Sequence, residues 1–189
     1  MVAAESTYNT DATPGGTDAV LVRNIDFTPI QADTVSRDLI RDYLGNSDQL
    51  LGNSRVELTF EVEFAGSGAA GTAPKYDALL KSCGLASTVV ASTSVTYAPV
   101  STSFGSSTIY VFADGIRHKM TGCRGTFNLN ASVGEIPVIS FTMTGNYVDP
   151  TDTASPSTTY SNQDTPDIFK AGNTTSPVSY THLTLPTTP

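Results

Sequence analysis

Glycines at positions 66, 68 and 71, in the stretch GSGAAG, carry the G-x-G-x-x-G spacing with which a backbone cradles a dinucleotide's pyrophosphate. That chemistry needs a preceding strand buried on both faces, glycines that open a helix, and an acid about 20 residues further on to hold a ribose hydroxyl. Residues 55–64 (RVELTFEVEF) instead alternate, with Val56, Leu58, Phe60, Val62 and Phe64 on one side and Arg55, Glu57, Thr59, Glu61 and Glu63 on the other. This is the pattern of a strand with one wet face. Pro74 suits the first turn of a helix over PKYDALLKSCG, which leaves Gly66, Gly68 and Gly71 in a loop ahead of it. No carboxylate lies between Asp77 and Asp114. The nucleotide reading therefore fails, and the glycines read as a flexible loop leading into a short helix.

Other reactive types are sparse. The chain has two cysteines, Cys83 and Cys123, and two histidines, His118 and His182, without C-x-x-C spacing, so a zinc site is not expected. Both cysteines read as buried thiols, with a single disulfide as the alternative. There is no G-x-S-x-G, and His118 stands between Arg117 and Lys119, as a solvated or interfacial histidine would. Glu57, Glu61 and Glu63 are spaced along one strand face and not across a cleft, which does not suit paired acid and base work. Oxygen-ligand loops of the D-x-D-x-D-G type are absent. No catalysis, metal or cofactor is expected.

Composition narrows the class further. Eighteen acidic residues against ten basic ones give a net charge of -8, the wrong sign for gripping nucleic-acid phosphates. Charged residues make up only 15% of the 189, and abundant Thr, Ser and Gly favour strands and turns. No run of 18 apolar residues is present, and the first 16 residues lack the basic and apolar regions of an export signal. Synthesis in the cytoplasm is the expectation.

Strands are predicted at 20–30, 55–64, 93–100, 107–113, 116–120, 124–131 and 138–147, with a turn at Asp114-Gly115. Residues 33–45 (DTVSRDLIRDYLG) read as either a short helix or an irregular charged loop, and Tyr76, Leu79, Leu80 and Cys83 give the helix at 74–84 one apolar face. Seven or so strands with one helix predict a mainly β fold, an antiparallel sandwich or barrel-like sheet pair with a short flanking helix. Around this body, spanning 20–148, residues 1–19 read as a mobile or partner-ordered arm, and the Pro, Thr, Ser and Asp run from 149 as a linker reaching to about 175 into a lost C-terminal part. Residues 176–189 are expected to be non-native, because SYTHLTLPTTP resembles a translated sequencing-adapter tail.

The stretches 22–51 (VRNIDFTPIQADTVSRDLIRDYLGNSDQLL), 55–84 (RVELTFEVEFAGSGAAGTAPKYDALLKSCG), 114–153 (DGIRHKMTGCRGTFNLNASVGEIPVISFTMTGNYVDPTDT) and 160–175 (YSNQDTPDIFKAGNTT) together resemble bacteriophage tail tube proteins, the major subunits of the tail tube. The likeness runs in order from about residue 20 to 175. It implies a β-sandwich subunit without enzymatic activity that assembles with itself into stacked rings, usually hexameric, around a channel for phage DNA. It also implies a place in the virion tail after synthesis in the host cytoplasm, with tape-measure and tail terminator proteins as partners and DNA passing without specific binding. In that setting Glu57, Glu61 and Glu63 are candidates to face the lumen, the alternative being an ordinary solvated face. The arm 1–19, the segment 30–53 and the loop of Gly66, Gly68 and Gly71 are candidates for contacts between subunits or rings. The residues by themselves also fit a monomeric adhesin-like binding or decoration domain of a virion.

Overall fold

The computed structural model describes residues 1–37, 39, 40, 42 and 45–168. In chain order it comprises β1 (Val2–Ala4), a 3-10 turn (Gly16–Asp18), β2 (Arg23–Ser36), β3 (Gln49–Glu63), α1 (Asp77–Ser82), β4 (Leu85–Val90), β5 (Ser94–Pro99), β6 (Ser107–Ala113), β7 (Ile116–Asn130) and β8 (Val138–Asp152). Six strands form one antiparallel sheet in the order β1-β6-β7-β8-β3-β2, and β4 and β5 form a separate hairpin. Among the described residues the fold is mainly β and antiparallel with one short helix, and the sheets do not close into a barrel.

The alternation in 55–64 determines the centre of the sheet. Val56, Leu58, Phe60 and Val62 lie opposite Gly145, Met143, Phe141 and Ile139 of β8, and all eight are buried. Each large side chain removed from water this way contributes about 2 kcal/mol. Phe60 and Phe141 stack across the strands with ring centroids 5.6 Å apart, and Phe127 of β7 packs on Phe141 at 6.2 Å. Helix α1 covers this face with Leu79 and Leu80, while Tyr76 just before it donates a hydrogen bond from its hydroxyl to the Ala65 carbonyl at 2.8 Å. The sheet also curls: Phe27 of β2 meets the His118 ring of β7 edge-on at 5.0 Å, although three strand spacings separate them along the sheet.

Several expectations need correction. The two strands predicted at 116–120 and 124–131 are one strand, β7, whose register slips between Thr121 and Arg124. A bulge there absorbs the Gly-Cys pair that looks in sequence like a break. Residues 33–36, offered as helix or loop, continue β2 and pair with 49–51 of β3, where β-branched Thr34 and Val35 suit an extended backbone. Strand β4, whose Ala-Ser-Thr centre and mostly exposed residues give no apolar alternation, was not expected.

The first 19 residues, expected as a mobile or partner-ordered arm, are held along the sheet. Val2 is buried in β1, and the Met1 amine donates to the Tyr110 carbonyl at 2.9 Å. The Glu5 carboxylate accepts from the Ser106 and Thr108 hydroxyls and from the Gly122 amide, at 2.6 to 2.8 Å. Asn9 accepts from Thr121 and Asn146, and the Arg124 guanidinium sits 4.6 Å over the Tyr8 ring. These partners lie about a hundred residues away in sequence, so no local pattern announces them. Strand β8 likewise runs to Asp152, past the expected edge of the body at 148. Residues 176–189 lie outside the described residues.

Candidate assembly surfaces

The glycine loop is a braced structural element. Ser67 closes it by donating from its hydroxyl to the Ala69 and Thr72 carbonyls at 2.9 and 2.7 Å. Gly71 has φ of 71°, and a Cβ there would stand 2.4 to 2.9 Å from Ser92 N, Val90 O and Thr93 N. Only glycine lets this loop pack so closely on the β4–β5 turn. Gly66 accepts a hydrogen bond from the Asp164 amide at 3.3 Å, and the Asp164 carboxylate lies beside Gly68. An acid at that place repels a phosphate, and α1 begins only at Asp77, well after Gly71. Of the three glycines in the spacing that resembles a dinucleotide fingerprint, Gly71 serves close packing, while Gly66 and Gly68 have room for a Cβ.

The three glutamates share the wet face of β3 but differ in surroundings. Glu61 accepts from Arg23 Nε at 3.0 Å, Asn24 Nδ2 at 2.8 Å and Ser140 Oγ at 3.5 Å, so an adjacent guanidinium balances its charge. Glu57 is half-buried between Thr28 of β2 and Thr144 of β8, and Glu63, opposite Val138, is exposed. With a rise of about 3.3 Å per residue, Glu57 and Glu61 stand about 13 Å apart along the strand. Exposed Thr142 and Thr144 of β8 extend the same polar face.

Burial raises the pKa of both thiols. Cys123 is fully buried and its pKa is pushed up to about 12, first by desolvation and then by the Glu5 charge. Cys83 is half-buried, with Sγ 3.9 Å from Met143 Sδ, and burial raises its pKa to about 11. Both are free and no disulfide joins them. Among the described residues no cluster of three or more His, Cys, Asp or Glu side chains could hold a metal ion, and no helix is long and apolar enough to cross a membrane.

Two surfaces stand out for what they leave uncovered. Strand β8 reaches only to Arg55 of β3, so residues 49–54 pair with β2 alone and project from the body as a two-stranded arm. Its residues 49–55 are all exposed, among them Leu50 at 54% and Leu51 at 78%, with Val35 opposite Leu50 also in water. Arg55 ties the arm's base by donating from Nε to Gln31 at 3.0 Å. The second surface is the far half of β7, where β6 pairs only as far as Cys123. Beyond it Phe127 and Leu129, with nearby Val133 and Ile136, remain exposed. The glutamates on the wet face of β3 were visible in sequence; the bare far half of β7 was not, because it depends on where β6 stops.

Residues 1–184 match the family model described as phage tail tube protein, a span that takes in part of the segment read as foreign. No curated protein matches the chain. With nearly its whole length matched, the chain belongs to the phage tail tube protein family, and it is a structural protein of the virion tail.

Proposed function

We propose that the chain is the repeating subunit of the tube, closing by self-association into rings, hexameric in the usual case, that stack around a channel through which phage DNA passes. The observation that carries this reading is the projecting arm of β2 and β3. A two-stranded ribbon with leucines in water is marginally stable alone and gains by packing on another chain. The open side of β2 and the far half of β7 lie at different places on the sheet, which suits a head-to-tail contact that closes by rotation. The arm 30–53 serves contacts between subunits or rings. The loop of Gly66, Gly68 and Gly71 assists by bracing the β4–β5 hairpin that stands next to it.

In the assembled tube the wet face of β3 lines the channel. Glu57 and Glu63 present uncompensated acid there, while Glu61 is balanced by Arg23. Duplex DNA carries about one negative charge per 1.7 Å, so an acidic wall repels it and lets it slide without specific binding. Tape-measure protein inside the tube and a terminator at its end complete the partner set. Negative-stain electron microscopy of the purified chain tests the assembly: rings or tubes with a central hole are expected. Uniform small particles would favour a monomeric decoration domain instead. Replacing Glu57, Glu61 and Glu63 with lysine should leave tubes intact and slow DNA ejection from virions, and unchanged ejection would remove these residues from the channel wall.

A further inference from the structure

Phe64 closes the alternation that begins at Val56, yet it stands 45% exposed while Val56, Leu58, Phe60 and Val62 are buried. Strand β3 has just ended, and the Phe64 amide donates to the Pro137 carbonyl at 2.9 Å as a last rung toward β8. On one side the Phe64 ring meets Tyr76, with centroids 6.4 Å apart. On the other it lines an open groove of about 500 Å³, together with Leu129 and Ala131 at the end of β7, Pro137 ahead of β8, and Pro166 and Ile168. The last two arrive because residues 153–168, within the stretch expected to be a linker, run back across the body. Thr159 donates from its amide to the Gly16 carbonyl at 3.0 Å, Gln163 Oε1 accepts from the Leu21 amide at 2.7 Å, and the Asp164 amide donates to the Gly66 carbonyl. Phe64, Leu129 and Ile168 are each half-exposed, so the groove is apolar and open to water.

The projecting arm of β2 and β3 has the converse shape. Beyond its exposed Val35, Leu50 and Leu51, the connection from β2 to β3 carries Leu39 half-exposed and Ile40 wholly in water. The arm leaves the body at the Gln49 end of β3, and the groove begins where β3 stops at Glu63. With a rise of about 3.3 Å per residue, Leu51 and Phe64 stand about 40 Å apart along the strand, and the end of the arm lies farther still. An apolar projection and an apolar recess thus occupy opposite ends of one strand, and no subunit can lay its own arm in its own groove.

We propose that this groove receives the end of the arm from a second copy, with Leu39 and Ile40 set against Phe64, Leu129 and Ile168, so that successive subunits join head to tail along β3. This rests on the self-assembly reading above, and it names the contact between rings as distinct from the lateral edges of β2 and β7 within a ring. The occupant follows from the separation: two unsatisfied apolar surfaces that cannot meet within a subunit are both covered when a neighbour is placed in the same orientation one subunit further along. Each added subunit covers one arm and one groove and brings a fresh one of each, so the contact repeats as an open stack without closing. Size agrees with this occupant. An apolar cavity of about 150 Å³ takes up benzene, so a groove of about 500 Å³ has room for two aliphatic side chains.

The test uses the full chain with Ile40→p-benzoylphenylalanine, a position already wholly in water, mixed with unmodified chain labelled with nitrogen-15, assembled, and irradiated. The expected products are covalent dimers in which position 40 of one chain is attached to residues 64–66, 129–137 or 164–168 of a labelled chain. Attachment between chains at other places, attachment only within a chain, or a chain that stays monomeric would each overturn the contact. Rings or tubes attached elsewhere would remove it and leave the tube reading standing; groove attachment in open stacks without rings would do the reverse. Leu39→p-benzoylphenylalanine repeats the experiment if the first variant fails to fold. As a second measurement, Ala131→Trp fills the groove from an exposed position, and electron microscopy should then show rings with at least a tenfold loss of tubes at an unchanged urea midpoint. Tubes in undiminished number would overturn the proposal.

Discussion

Strand β3 is two strands in physical terms. From Val56 to Val62 it is flanked by β2 and β8, and alternate side chains are buried to 4% exposure or less. From 49 to 55 every residue is exposed, and as far as 54 only β2 pairs with it. One half shows what makes the subunit fold, and the other what it leaves for something else to cover. Hydrogen bonding to a neighbour strand is common to both; what differs is whether a third layer removes the side chains from water, and that decides where stability resides.

The largest effect should come from the buried half. Phe141→Ala opens a cavity between Phe60 and Phe127 at a site with no solvent exposure, and should lower stability by about 3–5 kcal/mol. Urea unfolding of the unassembled subunit checks it. A loss under about 1 kcal/mol would mean the core end of β3 and β8 is not the stabilising centre. Gly71→Ala comes next. It forces a side chain onto a backbone at φ of 71° and into the β4–β5 turn, and should cost more than about 1 kcal/mol. If urea midpoints do not move, the glycine loop is not braced against that turn in solution.

The polar N-terminal arm is an intermediate case, held by ion pairs and hydrogen bonds as well as by the burial of Val2 and Ala19. Burial alone would raise the Asp11 pKa, but hydrogen bonds from the Tyr110 hydroxyl, the Thr13 amide and Lys119, with the Lys119 charge, outweigh it and leave the carboxyl below its ordinary value. A carboxyl depressed in the folded state contributes stability above its unfolded pKa and loses it as pH falls through the folded one. Urea midpoints should therefore fall below about pH 4 more steeply for the native chain than for Asp11→Asn. Parallel curves would show the arm detached from β6 and β7. Tyr110, its pKa raised to about 12 by burial and then by Asp11, stays a hydrogen-bond donor throughout that range.

How much of this was legible follows from the range of the forces involved. Residues 55–64 announce their strand because burial on one face imposes a period of two, and 74–84 announce their helix because Leu79 and Leu80 must share one side. Strand β1 and the course of residues 153–164 back across the body were missed because groups remote in sequence hold them: Glu5 accepts from Thr108, and Gln163 from Leu21. Polar composition reads as a mobile segment whether or not such partners exist. The glutamates of the candidate channel wall were visible as a face, yet Arg23 balancing Glu61 depends on β2 folding back in register. Gly71 was visible as a motif letter, and only the turn it touches gives it a role.

The exposed half of β3 yields the smallest effect on folding and the sharpest test of the comparison. Leu50→Ser with Leu51→Ser changes side chains that already stand in water at 54% and 78% exposure, so the stability of the unassembled subunit should shift by no more than about 0.5 kcal/mol. Assembly should respond oppositely, because a leucine buried at a subunit contact gives up about 2 kcal/mol when its apolar surface is lost, and a closed ring repeats that loss at every contact. Urea unfolding and electron microscopy of one preparation should thus separate, with midpoints unchanged and tubes absent. If the midpoint falls by several kcal/mol, the arm is packed within its own subunit and the division of β3 is wrong. If both stability and tubes persist, the leucines are surplus to the interface and the contacts fall to the far edge of β7.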